Sequence, residues 1–296
     1  LMIGILSTTP GITVNIKGDH SLNKRNMKSL IKLMNKFGAI FLPEKKFNFP
    51  LKLVSSKMPI GINYKAGVSA QLKSAVLLAG LNSFGNTTIR EIQRSRDHTE
   101  NILLNNSITV KTKEKKEKLI MVFGKKKLKP LKIDVPNDPS SAAFFSALTL
   151  LNKDSSLKIK NVGLNPTRIG FYNLLKKQGA KIKFKNFKKK NNELRGDILI
   201  KSCKLKPINA SKYFYTNMTD EYPILFVMAA LIKGTSTFRG IEDLANKESN
   251  RITEMQKVLE QIGIKSISSK NQLKIFGKGL INATGKKINV PNLGDH

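Results

Sequence analysis

One pattern recurs four times along this chain, and that recurrence limits its fold more than any single motif does. The most complete copy covers residues 219–267. Asp220 and Glu221 open it, and the apolar run 224–232 that follows has the length of a buried helix rather than a strand. Gly234 ends that helix, and residues 235–241 alternate as a strand does. A polar loop with Lys247, Glu248 and Asn250 leads to Arg251. Ile252, Met255, Val258, Leu259 and Ile262 then fall at helical spacing up to Gly263, and a hairpin is expected over 264–277.

The other copies keep this order. In copy one, whose first helix shrinks to residues 1–6, a strand over 11–16 leads through Asp19, Ser21 and Arg25 to apolar positions ending at Phe37 and Gly38. In copy two, Ser69, Gln71 and Lys73 open the run 75–81, a strand over 87–92 follows, and Ser95, Arg96 and Asp97 head the second helix. In copy three, Asp138 and Ser140 open the run 142–151, then come a strand over 157–162, Asn165, Thr167 and Arg168, and a stop at Gly179. A repeat this long is a small α/β layer, since solenoid units have only about 20–50 residues. The fold class is therefore α/β (α+β).

With 296 residues the chain suits two domains, and the Lys-rich stretch 125–132 marks the change between them. The expected domains are 1–132 and 133–296. Copy one lacks the start of its first helix, position 1 is Leu, and the chain stops where a fifth copy would begin, so it reads as an internal piece of a longer protein. No apolar run reaches about 18 residues, which excludes a membrane-spanning helix. Cys203 is the only cysteine, which rules out an internal disulfide framework and makes a cytoplasmic setting the default. The net charge of +33 raises the question of nucleic acid. Its lysine runs are dispersed over 111–118, 125–129 and 185–190, assigned mainly to hairpin loops and the crossover, so they read as a solvated coat that steers small anions.

An arginine stands at the head of each second helix: Arg25, Arg96, Arg168 and Arg251. That end of a helix carries unpaired N–H groups and positive potential, so a cation there calls for an anion or a carboxylate beside it. For Arg168 an inter-repeat salt bridge and a substrate contact weigh equally. Arg25, beside Lys24, and Arg251, beside Lys247, look more like clamps on an anionic substrate. Ser69 and Gln71 supply neutral donors, whereas Ser140 and Ser141 fit helix capping better. Asp220, next to an apolar run, is a candidate base, and Glu248 between Lys247 and Arg251 is a candidate proton carrier. Both also read as ordinary helix-start acids. His20, His98 and His296 have no metal-ligand spacing, so no metal site is expected.

These stretches resemble the 3-phosphoshikimate 1-carboxyvinyltransferase (EPSP synthase) family, in the family's order and over essentially the whole chain. The resemblance is carried by Gly18-Asp-His-Ser-Leu-Asn-Lys-Arg25, Val68-Ser-Ala-Gln-Leu-Lys73, Ser95-Arg-Asp-His-Thr-Glu100, Asp138-Pro-Ser-Ser-Ala-Ala-Phe-Phe145, Asn165-Pro-Thr-Arg168, Thr219-Asp-Glu-Tyr-Pro-Ile224 and Asn246-Lys-Glu-Ser-Asn-Arg251. It implies two domains of βαβαββ units around pseudo-threefold axes. It also implies transfer of the enolpyruvyl group from phosphoenolpyruvate to the 5-hydroxyl of shikimate 3-phosphate, on the pathway to chorismate, by a cytoplasmic monomer without metal or organic cofactor.

By the same resemblance, Ser69, Gln71, Ser95 and Arg96 hold shikimate 3-phosphate. Arg25 and Arg251 bind phosphoenolpyruvate, and His296 matches a family His on the substrate-binding side. Asp220 takes the hydroxyl proton, Glu248 handles the proton at the methylene carbon, and Lys247 contacts both substrates. The family's N-terminal Lys-Ser pair and the basic residues beyond His296 lie outside this chain. Its usual Arg-Val-Lys-Glu-Ser-Asp-Arg reads Ala245-Asn-Lys-Glu-Ser-Asn-Arg251 here, losing one basic and one acidic residue. The competing readings are the sister transferase acting on UDP-N-acetylglucosamine, against which Cys203 stands in the wrong half, and a basic RNA-binding protein.

Overall fold

The computed structural model describes residues 1–114, 116–247, 249–279, 287–290 and 292. The chain falls into two compact units, Leu1–Ile133 and Asp134–His296. Unit one contains α1 (Met2–Thr8), β1 (Thr13–Ile16), α2 (His20–Lys24), α3 (Lys28–Lys36), β2 (Ile40–Leu42), β3 (Leu51–Val54), β4 (Asn63–Ala66), α4 (Ala70–Asn82), β5 (Asn86–Glu91), α5 (His98–Leu103), β6 (Val110–Glu114) and β7 (Lys118–Phe123). Unit two contains α6 (Pro139–Leu151), β8 (Ser156–Gly163), α7 (Gly170–Lys177), β9 (Lys181–Lys190), β10 (Glu193–Lys201), β11 (Asn209–Ala210), α8 (Tyr222–Leu231), β12 (Gly234–Arg239), α9 (Arg251–Gln261), β13 (Ser266–Ser269) and β14 (Gln272–Gly277).

The repeat expected from sequence is present as topology. Copy two builds a sheet in the order β4-β5-β7-β6 and copy four one in the order β11-β12-β14-β13, each with its first pair parallel and the rest antiparallel. Copies one and three give three-stranded sheets, β1-β3-β2 and β8-β10-β9. In copy three the leading strand is reduced to a single parallel bridge between Asn137 and Val162.

Each copy's two helices differ in what they bury. α4 and α8 are apolar on nearly all sides and lie inside: Ala75, Val76, Leu77 and Ala79 from α4, and Leu225, Phe226, Met228 and Ala229 from α8, are at most 1% exposed. α3, α7 and α9 are amphipathic and bury one stripe, such as Ile31, Leu33 and Met34 in α3. Two separate cores result, one per unit.

Gly124 and Gly277 hold equivalent places just after β7 and at the end of β14. A Cβ on Gly124 would run into the Ser83 carbonyl at the end of α4, and one on Gly277 into the Ile232 and Ala229 carbonyls at the end of α8. The next N–H groups, of Lys125 and Lys278, donate to Leu81 and Ala230 at 2.9 and 3.1 Å. Glycine thus lets the last strand of each copy touch the end of that copy's buried helix.

Three local expectations are corrected. Ser140 and Ser141 do not cap α6; Asp138 does, accepting from the Ser141 N–H at 2.8 Å, because Pro139 occupies the first helical position and puts the cap at the residue before it. Of the four arginines expected to head a second helix only Arg251 stands on the first turn: Arg168 precedes α7, which starts at Gly170, Arg96 precedes α5, which starts at His98, and Arg25 ends α2 ahead of α3, with Ile169, Asp97 and Met27 at the cap positions. Lys185, Lys188, Lys189 and Lys190 belong to β9 rather than to a loop, and Lys111 and Lys113 to β6. β9 and β6 are sheet edges, where exposed lysines discourage further strand pairing. Among the described residues no helix is long and apolar enough to cross a membrane.

Candidate active site

In unit one the start of α4 is joined to the loop after β5 by a buried charge cluster. Ser69 caps α4, its Oγ accepting from the Leu72 N–H at 3.3 Å, and Gln71 on the first turn is exposed. One turn further in, Lys73 has no exposed surface, and its Nζ lies 2.9 Å from Glu91 Oε1 and 2.8 Å from Glu100 Oε1, both carboxylates being equally buried. Lys118 adds a second cation 3.4 Å from Glu100 and 3.5 Å from Asp97. A lysine this deep survives as a charge only because paired carboxylates replace its water shell.

Glu91 Oε1 also receives the N–H and the hydroxyl of Ser95 at 2.8 and 2.7 Å, and Lys73 donates to the Ser95 carbonyl at 3.5 Å. Ser95 is 1% exposed. Its hydroxyl bonds to Glu91 in the turn that carries the half-buried Arg96. Arg25, also half-buried, closes α2.

In unit two the candidate base sits in a second network. Arg168 Nη1 donates to Asp220 Oδ2 at 3.1 Å, while its Nη2 reaches Asp138 Oδ1 at 2.9 Å and Ser140 Oγ at 2.7 Å. On the other side, Arg251 Nη1 lies 3.4 Å from Asp220 Oδ1 and from the Thr219 carbonyl. Arg251 is 4% exposed, so here it serves as an internal partner of Asp220 as well as standing where a clamp was expected. Asn250 caps α9 by accepting from the Thr253 N–H at 3.2 Å, a task that Asn and Asp perform equally well. Lys247 binds Asp243 at 2.7 Å, and the Tyr215 hydroxyl donates to the same carboxylate oxygen at 2.7 Å. Glu248 and His296 lie outside the described residues.

The most strongly perturbed carboxyl near Asp220 belongs to its neighbour Glu221, to which the sequence alone gives no part beyond the start of the helix. Glu221 is 3% exposed, and burial pushes its carboxyl up to about 7, against the opposing pull of the Ser140 hydrogen bond and the Arg168 charge. Ser140 Oγ donates to Glu221 Oε1 while receiving Arg168 Nη2, so one hydroxyl connects the two. Position alone could not have singled out Glu221, because its burial depends on α6 packing over α8. Chemically, a carboxylate oriented by two guanidiniums can take a proton from a hydroxyl on an anionic substrate. Among the described residues no group of three His, Cys, Asp or Glu is placed to hold a metal ion.

Two units built from βαβαββ copies, with charged networks at the starts of their buried helices, define an enolpyruvyl transferase fold. The enolpyruvyl transferase NikO from Streptomyces tendae shares it at a TM-score of 0.68 and 14% identity, over 93% of this chain and 62% of that one. The family model described as EPSP synthase (3-phosphoshikimate 1-carboxyvinyltransferase) matches residues 1–295, and the chain belongs to that family. The Novosphingobium aromaticivorans 3-phosphoshikimate 1-carboxyvinyltransferase is 40% identical over 282 residues, which is 94% of this chain and 64% of that protein. The Zymomonas mobilis protein of the same name is 37% identical over 301 residues, covering 100% of this chain and 66% of its own length. The EPSP synthase from Acinetobacter baumannii has a TM-score of 0.77 at 34% identity, over 95% of this chain and 63% of that structure. The chain thus spans about two thirds of the length of these relatives.

Proposed function

We propose that the complete protein containing this chain transfers the enolpyruvyl group of phosphoenolpyruvate to the 5-hydroxyl of shikimate 3-phosphate, releasing phosphate. The observation that carries this reading is the Asp220 carboxylate, engaged by Arg168 at one oxygen and by Arg251 at the other. Asp220 takes the hydroxyl proton as that oxygen bonds to C2 of phosphoenolpyruvate, and Glu248 delivers a proton to C3. Removal of a proton from the resulting methyl group then expels phosphate and restores the double bond. Lys247, Arg251, Arg25 and His296 neutralise charge on phosphoenolpyruvate and the adduct, and Ser69, Gln71 and Arg96 hold shikimate 3-phosphate, with Ser95 behind Arg96.

In this reading the two halves of the chain are two enolpyruvyl-transferase domains of a cytoplasmic monomer that needs neither metal nor organic cofactor and no nucleic acid. The test is phosphate release by the complete protein. Asp220→Asn and Glu248→Gln should each lower kcat by about 10²–10⁴-fold, the range for a lost general acid or base. Turnover that survives both substitutions would overturn the assignment.

A further inference from the structure

Resting on that reading of Asp220, we propose that Glu221 is a positioning residue for the proton transfer, acting on Asp220 through Ser140 and Arg168. The route is a single chain of contacts. Ser140 Oγ has one hydrogen, which goes to Glu221, and its lone pair receives Arg168 Nη2 at 2.7 Å; the same guanidinium's Nη1 then reaches Asp220 at 3.1 Å. Three elements converge here: the first turn of α6, the loop before α7 and the start of α8.

The charge state of Glu221 decides how Arg168 is shared. While Glu221 is ionised it fixes the Ser140 hydroxyl as a donor, holds Arg168 toward the α6 side, and by like-charge repulsion makes Asp220 a better proton acceptor. When Glu221 takes up a proton, that anchor weakens and Arg168 pairs more fully with Asp220, which becomes a poorer base. Among the described residues, Asp138, on Arg168 at 2.9 Å, and Arg251, on Asp220 at 3.4 Å, also face this point. Tyr172 and Tyr222 complete the surroundings; the Tyr172 hydroxyl donates to the Pro139 carbonyl at 2.8 Å, and burial pushes both phenols up. Neither phenol titrates where Glu221, with its carboxyl raised to about 7 by burial, changes charge.

The test is the pH profile of kcat in the complete protein with Glu221→Gln, which keeps the shape and fixes the side chain neutral. The variant should lose about three- to tenfold in kcat at pH 8, consistent with up to one pKa unit at the base. KM for both substrates should stay within about twofold, and the rise in kcat that ionisation of Glu221 should give the wild type between pH 6 and pH 8 should be absent. A purely structural Glu221 would lower kcat equally at every pH; a profile parallel to the wild type would overturn the proposal. Ser140→Ala leaves the Glu221 charge and cuts the link, so it should show the same loss at pH 8, and a wild-type kcat there would equally overturn it.

If the wild-type protein transfers no enolpyruvyl group, the functional reading fails and carboxyl carbon-13 NMR decides the coupling by itself. The Asp220 signal, assigned with Asp220→Asn, should show a step near pH 7 that Glu221→Gln removes. An Asp220 signal without that step would overturn the coupling whatever the protein catalyses.

Discussion

Arg168 and Asp220, fifty-two residues apart in sequence, form a 3.1 Å ion pair that joins copy three to copy four at the start of α8. The inter-repeat bridge weighed for Arg168 on sequence alone is present. Replacing Arg168 by Ala removes contacts to Asp138, Ser140 and Asp220 together and leaves Arg251 on Asp220. The expected cost is about 2–3 kcal/mol, below that of a fully buried pair because both side chains keep some solvent contact. Urea unfolding of the variant against the wild type measures it.

Lys73 is the clearer case of a charge that burial makes indispensable. Lys73→Ala leaves buried Glu91 with only the Ser95 donors and no cation, and Glu100 with Lys118 alone at 3.4 Å, for an expected loss of about 3–5 kcal/mol in denaturant unfolding. A triple change of Lys73→Met, Glu91→Gln and Glu100→Gln removes the stranded charges with the cation and should recover at least half of that loss. In the single variant the Ser95 N–H, which donates to Glu91, should also exchange with solvent faster than in the wild type.

Glu221 gives the fold a pH dependence of definite sign. Its folded-state value of about 7 is raised above the ordinary 4.5, first by burial, so the neutral carboxyl is the form the fold prefers. The associated stability is fully present below pH 4.5 and is lost as pH rises through about 7. The shift corresponds to about 3 kcal/mol. Glu221→Gln should therefore gain on the wild type by about that amount between pH 4.5 and pH 8, with a flat difference below pH 4. Paired unfolding curves across this range check the sign as well as the size.

Close approach at Gly277 predicts a backbone-driven loss. Gly277→Ala sets a methyl group against the Ile232 and Ala229 carbonyls, and Gly124→Ala does the same against Ser83. Neither obstacle is a side chain that can rotate away, so each variant should lose about 2–3 kcal/mol. Thermal unfolding should show both losses, each confined to the unit that carries the change.

The repeat, the identity of the buried helices and the resemblance to an enolpyruvyl transferase could all be read from the chain. Apolar run length, glycine stops and helical spacing are local properties that tertiary packing only has to honour, and α4, α6 and α8 lie where those signals put them. The partners of the charged residues were not legible in the same way. Nothing in the spacing of Ser95 and Glu91 says that the hydroxyl is spent inside the protein, nor that Arg168 meets the carboxylate of Asp220. Asp220 and Glu221 are neighbours with the same functional group, yet one faces two guanidiniums and the other is sealed beneath α6. Sequence determined which elements form and which residue types line their ends. Tertiary structure decided which of those charges lost its water, because desolvation depends on what packs over a residue and not on what precedes it in the chain.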